Sequence, residues 1–269
     1  MKDKLIKIRR TIYPQFSQFF RGYVDKKIFF IHLPKCGGSS IHQGIKNSFN
    51  PFEWISGNLI HLDPQASLKG SQIAGSQLSD YREKLLLYFM SKDQCKYISG
   101  HFIYSDNAFQ EFGNEWNFIT VIREPVSRWF SHYFFNRFKT DNHFHLDLDL
   151  ESFVESEQGI AWGSTYVNKF AGNILPGEVS SNEAINQAIN NLNNLTLVGV
   201  LERLDIFARD YEKLFGARIV FDRYKTNPLS KDKQQEQITE SIRKKVENIC
   251  QPDIIFYESA LKRIRAKQQ

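Results

Sequence analysis

Apolar positions along this chain fall into two alternating patterns. Short continuous apolar runs occupy 28–33, 97–99, 117–122 and 196–201, each bounded by polar residues, and read as strands buried on both faces. Apolar residues at spacings of three and four occupy 39–49, 80–90, 125–138, 150–157, 182–192, 204–215, 236–250 and 253–266, and read as helices. Pro125 suits a first helical turn, where its missing N–H costs nothing, and Ser79 or Asp80 can cap the helix over 80–90. Strands alternating with helices predict an α/β fold, a central parallel sheet with helices on its faces. No repeat or low-complexity segment interrupts it, and 269 residues suffice for one substantial core. The expected organisation is a basic N-terminal arm over 1–27 and a single domain over 28–269.

The arm changes the picture of charge. The chain carries a net +5, but residues 1–27 alone carry +6, which leaves −1 for the rest. The basic balance therefore belongs to the arm and does not indicate a basic groove. Leu5, Ile8, Ile12, Phe16, Phe19 and Tyr23 lie there at helical spacing, interrupted at Pro14. Such a helix either packs its apolar stripe on the body or lies on an anionic membrane surface. No stretch approaches the eighteen apolar residues of a membrane span, and there is no signal-peptide apolar core. Cys36, Cys95 and Cys250 are few and have no metal-ligand spacing, so a reducing cytoplasm is expected; packing on the body is the plainer reading of the arm, and a peripheral membrane contact is the sharper one. Composition is that of a globular domain, at 41% hydrophobic and 24% charged. The 23 Phe read as core rather than as stacking platforms, so no nucleic-acid partner is expected.

Candidate chemistry gathers where strands end. The first strand runs through His32-Leu33-Pro34 into Lys35-Cys36-Gly37-Gly38-Ser39-Ser40 and then a helix. Glycine backbone lets amide N–H groups converge on an anion, the helix N-terminus adds its dipole, and Lys35 adds a point charge. The lettering differs from the nucleotide-hydrolase loop G-x-x-x-x-G-K-[ST], because Lys35 precedes the glycines. The strand over 117–122 ends in Arg123, and Ser131 follows in the next helix near Ser127 and Phe134 on one face. A guanidinium fork and a hydroxyl can together hold a phosphate; alternatively Arg123 pairs with a helix-end carboxylate. The strand over 97–99 ends in Gly100-His101-Phe102, at the sheet edge where ligands bind in open α/β folds. Imidazole can take a proton from an alcohol near neutral pH, whereas a buried structural histidine is the plainer reading. His143 and His145 with Asp141, Asp147 and Asp149 have loose spacing and read as a solvated loop rather than a metal site.

The Lys35 and Arg123 motifs resemble those of sulfotransferases that use 3′-phosphoadenosine-5′-phosphosulfate (PAPS), in particular the carbohydrate branch that includes heparan sulfate 2-O-sulfotransferase and its bacterial relatives. The likeness runs from about Lys27 to Arg263. It takes in Gly100-His101-Phe102, the segments Leu197–Leu204, Tyr211–Gly216 and Asp253–Glu258, and Asn227 before Pro228. It implies a P-loop-like parallel sheet, with Lys35, Cys36, Gly37, Gly38, Ser39 and Ser40 on the 5′-phosphate. Arg123 and Ser131 would hold the 3′-phosphate and His101 would be the base. Cys36 stands where such proteins often carry Thr, which leaves the backbone amide to do the binding. The stretches 50–94 and 139–149 show no correspondence, and they are where acceptor contacts are expected.

The expected function is thus transfer of the sulfuryl group from PAPS to an acceptor hydroxyl, of a carbohydrate by resemblance, with PAP as product and no metal required. His101 would deprotonate the acceptor, and Lys35 would neutralise charge on the leaving nucleotide. Two other readings stand beside it: a P-loop kinase or NTPase, and a non-catalytic PAP-binding protein.

Overall fold

The structure, a computed structural model, describes residues 22–140, 144–172, 178–221 and 227–266. The arm up to residue 21, with its expected helix, lies outside the described residues, as do Asp141, His143 and the Lys225-Thr226 pair. Five strands, β1 (Lys27–Ile31), β2 (Leu59–His61), β3 (Tyr97–Gly100), β4 (Trp116–Ile122) and β5 (Leu197–Val200), form one all-parallel sheet in the order β2-β3-β1-β4-β5. Ile31 registers with Gly100 on one side and Thr120 on the other. Strands 27–31, 97–100 and 116–122 therefore deliver their carboxyl ends side by side, about 4.8 Å apart.

Helices cover both faces. In the first half lie α1 (Gly38–Asn47), α2 (Pro51–Ile55), α3 (Pro64–Ile73), α4 (Leu78–Met90), α5 (Asp106–Phe112) and α6 (Pro125–Phe138). In the second half lie α7 (Leu150–Glu155), α8 (Glu157–Trp162), α9 (Thr165–Phe170), α10 (Asn182–Asn193), α11 (Leu204–Phe215), α12 (Lys231–Gln237), α13 (Glu240–Ile249) and α14 (Gln251–Ala266). The period-two geometry of β1 sorts its unbroken apolar run. Ile28 and Phe30 pack with Ile41 and Ile45 of α1 and Phe207, Tyr211 and Phe215 of α11. Phe29 and Ile31 pack on the other face with Leu86 and Met90 of α4, Phe170 of α9 and Phe256 of α14. A third apolar cluster joins α6, α7 and α13 through Trp129, Tyr133, Phe134, Phe153, Ile242 and Val246. Val24 packs into the α1/α11 core, so the body begins a few residues before 28.

The structure departs from the sequence-based elements in particular places. The edge strand β2 and the short helices α2, α5 and α9 carry too few residues for periodicity to mark them, and α3, though ten residues long, buries Ser67 and Ser71 rather than an apolar stripe. The helix expected over 150–157 breaks at Ser156, whose extended backbone (ψ 153°) lets its hydroxyl cap α8 through the amide of Gly159. The helix over 236–250 breaks in the same way at Thr239, which caps α13 through the amide of Ile242. Helix α4 starts at Leu78 with no side-chain cap, and Ser79 and Asp80 lie inside it. Nor do Ser127, Ser131 and Phe134 share one environment: Ser127 is exposed, Ser131 half-buried and Phe134 buried.

Candidate functional site

The turn after β1 is built by two left-handed residues. Lys35 stands at φ 62° and Gly37 at φ 73°, so the chain doubles back and opens α1 with Gly37 as a cap that offers no side-chain acceptor. Ser40 and Ile41 are bonded to the Gly37 carbonyl. The amides of Gly38 and Ser39 precede the first intrahelical bonds and point out of the helix end, as N-terminal amides do. Gly38 is needed for space: a Cβ there would sit 1.9 Å from the His32 ring. The Cys36 side chain turns inward. Its thiol is buried, lies 3.4 Å from the Tyr166 hydroxyl, and is pushed up to about 11 by desolvation. Of Cys36, only the backbone can serve a ligand.

Arg123 emerges from β4 beside this turn. Its Nη1 donates to the Lys35 carbonyl at 3.3 Å, and it enters no ion pair among the described residues. The helix-end carboxylate next to it is otherwise engaged, because Glu124 caps its own helix α6 through the amides of Val126 and Ser127. Tyr166 clamps the junction. Its hydroxyl accepts from the Arg123 amide at 2.9 Å and donates to the Arg123 carbonyl at 2.6 Å, while also meeting the Cys36 sulfur. Helix α6 then presents Phe135 beneath Lys35, whose Nζ lies 3.5 Å from the ring centroid. Ser131 is one turn earlier on the face that Phe135 turns toward Lys35, and its carbonyl accepts from Asn227 at 3.4 Å.

His101 completes the row. Its Nδ1–H donates to the His32 carbonyl at 2.7 Å, which fixes the tautomer and leaves Nε2 as the acceptor. The ring lies 4.6 Å from that of His32. Burial lowers its pKa to about 4, against the His32 bond and aided by Lys169 and Arg82, so the ring is neutral at pH 7. Three motifs far apart in sequence are thus stitched together, Lys35 to Arg123 and His32 to His101, at the carboxyl edge where β3, β1 and β4 end.

Several residues here carried no sequence signal. Tyr166 sits in a short apolar helix and looks like core. His132, next to Ser131, stacks on Trp162 with ring centroids 3.7 Å apart, and its buried Nδ1 has no hydrogen-bond partner among the described residues. Burial, then Arg128, Lys35 and His101, hold it well below the usual histidine range. His42 and His61 share the Ser99 hydroxyl at 2.9 and 2.8 Å on the α1 side of β3. A cavity of about 430 Å³ beside the start of α6, lined by Glu124, Val126, Glu247, Ile254, Tyr257 and Glu258, contains none of the anticipated site residues. Its three carboxylates, Glu124, Glu247 and Glu258, would repel a phosphate. No group of three or more His, Cys, Asp or Glu is placed to hold a metal among the described residues, and none of their helices is long and apolar enough to cross a membrane. Comparison with models of protein families gives no match, and comparison with curated proteins gives none either.

Proposed function

We propose that this chain is a PAPS-dependent sulfotransferase with the P-loop-like sulfotransferase fold, acting on a hydroxyl acceptor of carbohydrate type. The observation that carries the reading is the junction of Lys35, Arg123 and His101: two cations on separate crossovers joined by one hydrogen bond, with a neutral imidazole on the neighbouring strand. The amides at Gly37, Gly38 and Ser39 suit the 5′-phosphate, and Arg123 with Ser131 suits the 3′-phosphate.

In the reaction, the acceptor oxygen attacks sulfur in line. A new oxygen–sulfur bond forms as the bond from sulfur to the 5′-phosphate oxygen breaks. His101 Nε2 takes the acceptor proton, and PAP leaves with its electron pair on an oxygen that Lys35 neutralises. The low pKa of His101 comes first from burial and then from the cations around it. An anionic donor offsets the cations around it and raises the imidazole toward the range in which it accepts a proton.

Titration calorimetry tests the reading. The protein should bind PAP well above AMP, which lacks the 3′-phosphate, and above ATP with Mg²⁺. Arg123→Ala should remove about 1.5–3 kcal/mol of PAP affinity, the size of a charged hydrogen bond. Equal affinity for PAP and AMP would reject the proposal.

A further inference from the structure

Two more cations bear on His101, and neither enters an ion pair with a carboxylate among the described residues. Arg82, buried on α4, donates from Nη1 to the His101 carbonyl at 2.8 Å, and from Nε and Nη2 to the Ser67 hydroxyl at 3.1 and 3.0 Å. Its remaining contact is the Pro64 carbonyl at 3.4 Å. Lys169 comes from α9. Its carbonyl accepts from the Tyr104 amide at 2.8 Å, which ties α9 to the segment leaving His101. Three residues earlier on the same helix, Tyr166 is clamped to Arg123. Lys169 therefore stands one turn from the Arg123 junction and against the exit of β3.

The Lys169 ammonium enters no ion pair and no side-chain hydrogen bond among the described residues. Lys169 is half-buried, and partial desolvation, with Arg82 beside it, lowers its pKa to about 8. The charged neighbours that bear on His101 are Lys169, Arg82 and His61, none of them acidic. His132, facing from α6, is surrounded by Arg128, Lys35, His101 and Lys139. Desolvating an ammonium without a counterion is costly, and a pocket of one sign around a neutral base is what an incoming oxyanion would relieve.

We infer that Lys169 is an oxyanion-binding cation beside His101. This rests on the sulfuryl-transfer reading for its place in the reaction but not for its chemistry. The oxyanion comes either from the sulfuryl group in transit or from an acidic group on the acceptor.

The test uses the full chain, with Lys169→Met and Lys169→Arg. Inorganic sulfate is titrated with and without saturating PAP, alongside methyl glucuronide and methyl glucoside. Sulfate should bind the wild type, weaken more than tenfold in Lys169→Met, and recover in Lys169→Arg. In the wild type it should weaken as pH rises through about 8, where the ammonium loses its proton. PAP affinity should stay within twofold across all three proteins. A Lys169 dependence for glucuronide but not for sulfate assigns the oxyanion to the acceptor; the reverse assigns it to the transferred group. Sulfate and glucuronide binding that is the same in Lys169→Met as in the wild type overturns the inference. Failure of PAP to bind the wild type overturns the sulfotransferase reading instead, and the PAP-free sulfate arm still decides the role of Lys169.

Discussion

At the scale of single residues, His101 is defined by two opposing demands. Burial and nearby cations keep it neutral, and the bond from Nδ1–H to the His32 carbonyl aims the free nitrogen away from the backbone. In the proposed reaction, replacing it by Ala removes the proton acceptor and leaves the turn over 35–40 intact. His101→Ala should retain PAP binding while sulfuryl turnover falls about a hundredfold to ten-thousandfold. A variant with near-wild-type turnover from labelled PAPS would remove His101 from the mechanism. Lys35 and Gly37 show how backbone serves chemistry at this scale. Both stand in the left-handed region, and only the glycine does so without strain, so the loop holds Lys35 in a conformation that costs about 1–2 kcal/mol.

At the scale of elements, the short helix α9 links the parts of the site. Its first amides, those of Tyr166 and Val167, donate to Asp253 Oδ1 at 2.8 and 3.1 Å, so a carboxylate on α14 holds the helix start. Asp253 is fully buried and lies 3.7 Å from the equally buried Arg128 of α6, which also donates to the Trp162 carbonyl. Desolvation raises Asp253 against the pull of Arg128 and the two amides. Asp253→Asn keeps an acceptor for the amides but strands the Arg128 charge in the core. The expected loss is about 3–5 kcal/mol in urea denaturation, as for a broken buried pair. A loss under about 1 kcal/mol would show that the Arg128 charge is compensated elsewhere. The same network explains why α9 can hold Tyr166 on Arg123 although the helix is only six residues long.

At the scale of the whole molecule, a half-buried histidine packed against the sheet couples stability to pH. His42 is carried by α1 and is bonded to the Tyr97 and Ser99 hydroxyls of β3 at 3.0 and 2.9 Å, and burial, then His61 and Lys46, lower its pKa to about 3. The folded state therefore binds fewer protons than the unfolded chain between about pH 3 and pH 6.5. The stability that follows from neutral His42 is fully present above about 6.5 and is lost as pH falls toward 3. Asp253, raised in the fold, works the opposite way over an overlapping range. Comparing His42→Asn with wild type isolates the histidine. Wild type should be the more stable at pH 7, and its advantage should shrink by on the order of 1 kcal/mol per pH unit below 6.5. An advantage that does not change between pH 7 and pH 5 would contradict half-buried, neutral His42.

What the sequence determined by itself was whatever depends on neighbours along the chain. Unbroken apolar runs marked the strands at 28–33 and 117–122 because both faces of a parallel sheet are covered. The helix over 125–138 was legible to the residue, since Pro125 fixes its start and its apolar face is long. The Gly37-Gly38 turn was legible because only glycine fits its backbone. The breaks at Ser156 and Thr239, the strand β2 and the helix α9 were not, because a single cap or a three-residue pairing leaves no periodic trace. Only the tertiary structure decided that β1 lies between β3 and β4. That order brings His101 and Arg123 to opposite sides of Lys35, and it is set by which apolar faces can be buried together across the whole sheet. The roles of Tyr166, Arg82 and Lys169 belong to the same category. A tyrosine, an arginine and a lysine on helices look ordinary in sequence, and burial beside a distant strand end gives them their chemistry.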